Sequence, residues 1–224
     1  MRVCRTTMIV MTMLGGACRE TVVERESFPG NIPSFDDTLP DGGIEEPIAE
    51  CLGETSRFNH NFSPSLGGDE SVDVEVTHFS SFYCIHCADF YAYTHALWRN
   101  REDFRDRARI YFHHASYYFR HRAAVAAFNQ SESSFWVLHD YIFDKMLKDG
   151  GVSKDAILEF VEDELKLDMK RFEADLDSDE TYAFLRWDME QGDAAGVTGT
   201  PTAFVCEDRI RWVELEAEVE DRLR

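Results

Sequence analysis

Apolar residues recur along this chain at two different periods, and the changes between them mark out its elements. Val72, Val74 and Val76 alternate with polar residues in Val72-Asp-Val-Glu-Val-Thr-His-Phe79, which predicts a half-buried strand with His78 on the valine face and Thr77 and Phe79 on the other. From Cys84 onward the spacing becomes helical, with Phe90, Tyr93, Leu97 and Trp98 recurring along one element. Ala108-Arg-Ile-Tyr-Phe-His-His114 reads as the next strand. Helices follow: Ser134 as a cap before Phe135, Leu138, Ile142 and Met146; Ser153 before Ile157, Val161 and Leu165; and a third after Ser178 carrying Tyr182, Leu185 and Met189, weakened at Gly192. Strands return at residues 202–205 and 210–213, and Leu215, Val219 and Leu223 lie on one face of a closing helix.

The chemistry sits where the first strand gives way to the first helix, at Cys84-Ile-His-Cys87. A thiol at a helix N-terminus meets unpaired N–H groups and the positive end of the helix dipole, which stabilise a thiolate, the species that attacks disulfides. Metal sites use the same Cys-x-x-Cys spacing, so the pair by itself leaves zinc, copper and redox readings open. Tetrahedral structural zinc wants four ligands, commonly as two such pairs, and the remaining cysteines, Cys4, Cys18, Cys51 and Cys206, are scattered. Downstream, Gly196-Val-Thr-Gly-Thr-Pro-Thr-Ala-Phe-Val205 reads as a loop entering a strand through Pro201, which cannot donate to a sheet ladder and belongs at a strand's first residue or edge.

Three motifs in this order, the strand-CxxC-helix, the helical stretch with Ala123-Ala-Val-Ala-Ala-Phe128 and Phe135-Trp-Val-Leu-His-Asp140, and Gly199-Thr-Pro-Thr202, resemble the DsbA-like branch of the thioredoxin superfamily over residues 71–224. The resemblance implies an α/β thioredoxin fold with a DsbA-type helical insertion at about residues 116–195, and a thiol–disulfide oxidoreductase that oxidises dithiols in exported proteins. It implies a cis Thr200–Pro201 bond, with Thr200 and Pro201 facing the disulfide and binding substrate. Cys84, nearer the helix start, is assigned as the nucleophile and Cys87, one turn in, as the resolving thiol. His86 is expected to tune the potential, since imidazole beside a thiolate can stabilise it. Many relatives have Pro-His between the cysteines where this chain has Ile85-His86. Relatives commonly place an acidic residue six positions before the first cysteine as a proton relay for the resolving thiol, and His78 stands there, making it the relay candidate. The Cys84–Cys87 disulfide is the redox group, with no further cofactor and no metal expected. The alternatives on the same fold are Cu(I) handling by the two thiolates and a histidine, a disulfide-reducing role, and a non-catalytic peptide-binding protein. His113, His114 and His139 are expected to be structural or surface residues rather than ligands.

Composition narrows the setting. The chain has 224 residues, 44% of them hydrophobic and 13% aromatic, enough for one domain with a real core and a tail. A formal charge of −20 argues against binding nucleic acid or an anionic membrane through a basic patch. Arg2 and Arg5, the short apolar run at residues 8–14 and the small residues before Cys18 read as an export signal over residues 1–17, with Cys18 as a lipid-anchor site of the bacterial envelope. A plain cleaved signal and a soluble periplasmic or secreted product is the alternative. Residues 18–69, rich in Pro, Gly, Asp and Glu, read as a tether whose roughly 50 residues would reach about 40 Å, ahead of a domain at 70–224. Expected partners are reduced or unfolded exported proteins and a membrane or periplasmic redox protein, the chain itself acting as a monomer. Cys51 and Cys206 remain as a candidate structural disulfide.

Overall fold

A computed structural model describes residues 6–14, 17–25, 58–60, 62–68 and 72–224, which fall into two units, one within residues 1–47 and one within 48–224. In the first, Thr6–Leu14 (β1) pairs antiparallel with Ala17–Arg25 (β2), Met13 lying opposite Cys18.

The second unit is built on a five-stranded sheet ordered β3-β5-β4-β6-β7, formed by Ser65–Gly67 (β3), Val74–Ser80 (β4), Ala108–His114 (β5), Thr202–Val205 (β6) and Asp208–Ile210 (β7). Central β4 runs parallel to β5 and antiparallel to β6, with Val76 opposite Val205 and Phe79 opposite Thr202. The expected alternation is present. Val74 and Val76 pack with Phe90 on one face, and Phe79 joins Phe58 and Phe204 on the other. Beyond β7 the expected strand at 210–213 stops short, because Trp212–Glu214 turns as a 3₁₀ segment into Leu215–Arg222 (α8), whose Leu215 and Val219 are buried.

The tether read as far as residue 69 ends earlier. Phe58 and Ser63 are buried, and β3 pairs antiparallel with β5. Three residues after a proline carry no period of their own. Their partners are remote in sequence: the Phe112 amide donates to the Pro64 carbonyl (2.9 Å), Trp136 Nε1 donates to the Ser65 carbonyl (2.8 Å), and the Ser65 amide donates to Glu132 (2.9 Å). Gly67 closes this strand at φ +116°, and a Cβ there would stand 2.2 Å from the Ala108 carbonyl oxygen. Gly67→Ala is therefore expected to cost about 2 kcal/mol or more, read as a fall in the urea or thermal midpoint.

Between β4 and β5 run Ile85–Asn100 (α1) and Glu102–Arg107 (α2). Between β5 and β6 lies a helical insertion of Phe119–Phe128 (α3), Glu132–Asp149 (α4), Lys154–Phe160 (α5), Met169–Leu176 (α6) and Asp179–Ala194 (α7). The stripe of α4 buries Phe135, Leu138, Ile142 and Met146 as expected, but its cap is Ser131, whose hydroxyl accepts from the Ser134 amide at 3.0 Å. The face of α7 differs more. Tyr182 is exposed, and the buried side is Thr181, Phe184, Leu185, Asp188, Gln191 and Gly192. Two of its polar residues turn inward because β5 and the Asn59 amide supply their partners: Asp188 accepts from His113 Nδ1 (2.8 Å) and the His114 amide (2.7 Å), and Gln191 Oε1 accepts from the Asn59 amide (2.7 Å). Gly192 lies within the helix and lets it approach Phe79, where a Cβ would meet the ring at 3.2 Å.

Cys206 sits in the β6–β7 turn at φ +55° and is disulfide-bonded, at the end of β6 away from the cysteine pair. Cys51, the partner expected for it, and Cys4 lie outside the described residues. Among the described residues no helix is long and apolar enough to cross a membrane.

Candidate active site

Strand β4 ends at Ser80 and the chain turns through Ser81-Phe82-Tyr83 to Cys84, the N-cap of α1, held extended at φ −105°, ψ 118°. The Cys84 carbonyl accepts from the amides of Cys87 (3.1 Å) and Ala88 (3.3 Å), which fixes the first helical turn around the pair. The two cysteines are present as free thiols in unequal settings. Cys84 is half-buried at the rim and its Sγ donates to the Thr200 carbonyl at 3.3 Å. Cys87 is fully buried in the apolar cluster with Phe82, Ala88, Tyr91 and Phe112. Burial pushes the Cys87 thiol up to about 11, and the neighbouring Cys84 adds to the rise. Thr200, the Ser81 amide (3.4 Å from Cys87 Sγ) and Ser80 pull it part of the way back.

The Thr200–Pro201 bond is cis, and Thr202 Oγ1 donates to the Gly199 carbonyl at 2.8 Å, tying the loop down beside the pair. The turn before Cys84 is held from behind. Arg120 Nη1 donates to the Phe82 carbonyl (2.7 Å), its guanidinium lies 4.4 Å from the Tyr83 ring centre, and the Phe82 amide donates to His121 Nε2 (3.2 Å). Of the aromatic residues flanking the CxxC in sequence, Phe82, Phe90 and Tyr91 are core, and only Tyr83 reaches the surface. Tyr118 packs edge-on against it at 5.6 Å with Tyr117 beside it, and Ile85 is also exposed, giving an apolar rim next to Cys84. Tyr117 and Tyr118 lie more than thirty residues downstream, and no local signal in the sequence marks them.

Two expected site residues stand differently. His86 is 72% exposed with its Nδ1 3.6 Å from Asp89, on the solvent side of the first turn. His78 is buried as expected, but among the described residues no hydrogen bond joins it to Cys87; its ring lies 4.1 Å from Phe90 and 5.9 Å from Phe112. Burial, then the charges of His139 and His113, hold its imidazole well below the ordinary histidine range. A proton taken from Cys87 would create a buried cation there, so the relay role read from its position is not what this geometry favours. The polar groups around Cys87 are Ser80, Ser81 and Thr200. Neither cysteine belongs to a convergent set of three metal donors among the described residues.

A thioredoxin-type sheet with a helical insertion, a Cys-x-x-Cys at a helix start and a cis-proline loop opposite it define a DsbA-like thiol–disulfide oxidoreductase. The thioredoxin family model matches residues 62–221, and the chain belongs to that family. It is 27% identical over 158 residues to a probable disulfide bond formation protein D of Bacillus anthracis, an alignment covering 66% of this chain and 71% of that one. Oxidised BdbD from Bacillus subtilis shares the fold with a TM-score of 0.62 at 18% identity, covering 78% of this chain and 99% of that one. The catalytic domain of Proteus mirabilis ScsC does so with a TM-score of 0.53 at 17% identity, over 72% of this chain and 89% of that one.

Proposed function

We propose that the protein is a dithiol oxidase of the bacterial cell envelope, donating its Cys84–Cys87 disulfide to exported proteins. The observation that carries this reading is the asymmetry of the pair. A substrate thiolate can reach Cys84 but not buried Cys87. It attacks Cys84 Sγ, the Cys84–Cys87 bond breaks, and Cys87 leaves with the electron pair, helped by the Ser81 N–H. A second substrate thiolate then attacks the substrate sulfur of the mixed disulfide and expels Cys84, so two substrate thiols become a disulfide and the enzyme pair becomes a dithiol. With its pKa near 11, Cys87 is ionised at pH 7 only to about one part in 10⁴. It therefore recaptures Cys84 slowly and leaves time for the substrate's own second thiol. The cis-proline loop offers backbone for an extended peptide, and the Tyr83, Tyr118 and Ile85 rim offers sequence-tolerant apolar contact.

The purified disulfide form is expected to oxidise a reduced, unfolded protein stoichiometrically and to show a reduction potential above the glutathione poise, about −220 mV or higher. A potential below about −270 mV, with faster reduction of disulfides than oxidation of thiols, would make it a reductase instead.

For location, the motif around Cys18 supports export and lipid anchoring at that residue. Fatty-acid labelling of the expressed chain should be lost in Cys18→Ser; an unlabelled mature protein starting elsewhere would leave a soluble exported form. Cys206, bridged at the far end of β6, takes Cys51 as its partner in this reading, and non-reducing peptide mapping checks it.

A further inference from the structure

A second group of polar side chains converges away from the cysteines, where α1 crosses α4. His95 on α1 and His139 and Asp140 on α4 each bring one donor atom to a common region, all within 4.8 Å of one another. Asp140 Oδ1 lies 3.0 Å from His139 Nδ1 and 3.5 Å from His95 Nε2. Ligands held at about 2.0–2.1 Å around a tetrahedral zinc ion stand roughly 3.3 Å apart, so the measured separations are those of a nearly formed coordination edge.

Two further observations point to an occupant. His95 Nε2 is buried and makes no hydrogen bond, Asp140 Oδ1 standing 3.5 Å away. His78, only 4% exposed, also has an unpartnered Nε2, and it lines with His95 and His139 a small pocket of about 20 Å³, room for a single water. The remaining walls include Tyr91, Trp98 and Phe112. Two imidazole nitrogens left without partners in such surroundings cost free energy that a bound group would recover.

We propose that His95, His139 and Asp140 bind a divalent first-row transition ion, zinc being the representative, with its fourth position open to the pocket that His78 lines. Two imidazoles and a carboxylate, with no thiolate, suit zinc and its neighbours and not Cu(I). Burial holds His95 down to about 4 against the pull of Asp140, with His139 and then Arg99 lowering it further, and burial alone lowers His139 against the hydrogen bond and charge of Asp140, so both rings offer lone pairs at neutral pH. On loading, the proton that His139 shares with Asp140 moves to the other ring nitrogen. His95 lies 11 residues from Cys84 along α1, about 16 Å, which separates the ion from the sulfur chemistry. Its role is to pin the helix that carries the cysteines to the helical insertion.

The test uses the full chain in its disulfide form, so that Cys84 and Cys87 cannot ligate, titrated with Zn²⁺ alone by calorimetry and with Co²⁺ for its ligand-field spectrum. One equivalent should bind with a tetrahedral nitrogen and oxygen spectrum, and Zn²⁺ should raise the thermal midpoint. His95→Gln and Asp140→Asn, both at partly exposed positions, should each weaken binding about tenfold or more and abolish the midpoint rise while retaining the metal-free circular dichroism. Failure of the wild-type chain to bind one equivalent would overturn the proposal whatever the variants do. So would unchanged affinity in whichever variant folds, leaving a hydrogen-bonded cluster and no site.

Discussion

Cys87→Ala, with Cys84 first loaded as a mixed disulfide with glutathione, is expected to accumulate a covalent mixed disulfide with a reduced substrate protein through Cys84 as glutathione leaves as thiolate, and Cys84→Ala treated in the same way to accumulate none and to lose dithiol oxidation down to the uncatalysed rate. Oxidation requires a disulfide within the enzyme, so both variants lose turnover; only the first keeps the accessible sulfur. With Cys87 absent, a mixed disulfide formed by exchange at Cys84 has no internal thiol to break it, and non-reducing electrophoresis shows the adduct. Capture on Cys87 in the Cys84→Ala variant would reverse the assigned roles. The wild-type protein adds a pH signature. Collapse of the mixed disulfide by Cys87 needs its thiolate, and burial raises that thiol to about 11. The collapse rate should therefore climb about tenfold per pH unit from pH 6 to 10, measured by stopped-flow on a preformed mixed disulfide.

The second large effect is acid instability. His60 is half-buried and His114 and His121 are fully buried, all three neutral, with pKa values depressed below the unfolded value near 6.5: His60 to about 2 by burial and then His113 and Arg109, His121 to about 3 by burial and then Arg120, and His114 well below by burial and then His121. Below pH 6.5 the unfolded chain binds protons that the folded chain refuses, so stability falls as pH falls. Each of His60 and His121 should cost about 2 kcal/mol at pH 5, together about 4 kcal/mol, against the 5–15 kcal/mol typical of a whole domain. His114 acts in the same direction. Asp188, Glu75 and Asp175, whose carboxyls are raised mainly by burial, act oppositely and offset part of the loss. Urea unfolding followed from pH 8 to 5 should show stability level above about pH 7 and declining steeply below 6. A flat profile across that range would show that these rings are hydrated.

The histidine arrangement links this loss to the active site. His121 Nε2 accepts from the Phe82 amide, so its proton sits on Nδ1 and is donated to His114 Nδ1, 2.9 Å away. A further proton on either ring puts two N–H groups in opposition or ejects the Phe82 amide. The turn leading into Cys84 is therefore the first segment expected to loosen in acid.

How much of this was legible depended on where the partners of each residue lay. The strand-to-helix junction at Cys84 and Cys87, the Gly199-Thr-Pro-Thr202 loop and the apolar stripes of α4 and α8 were readable because each is a local pattern: alternation of two, spacing of three and four, a proline where no amide is needed. Those patterns set the class of fold, the place of the cysteine pair and the loop that faces it. The rest was decided between distant segments. The strand Ser65–Gly67 exists because β5 and α4 receive its backbone groups, and α7 turns Asp188 and Gln191 inward because the end of β5 and the Asn59 amide meet them there. Tyr118 became part of the rim, His78 was sealed between Phe90 and Phe112, and His95 met His139 and Asp140 only once α1 and α4 had packed. Hydropathy records which side chains water rejects. It carries no information on which buried polar groups will find one another, since their burial is stable only with partners that the tertiary fold supplies.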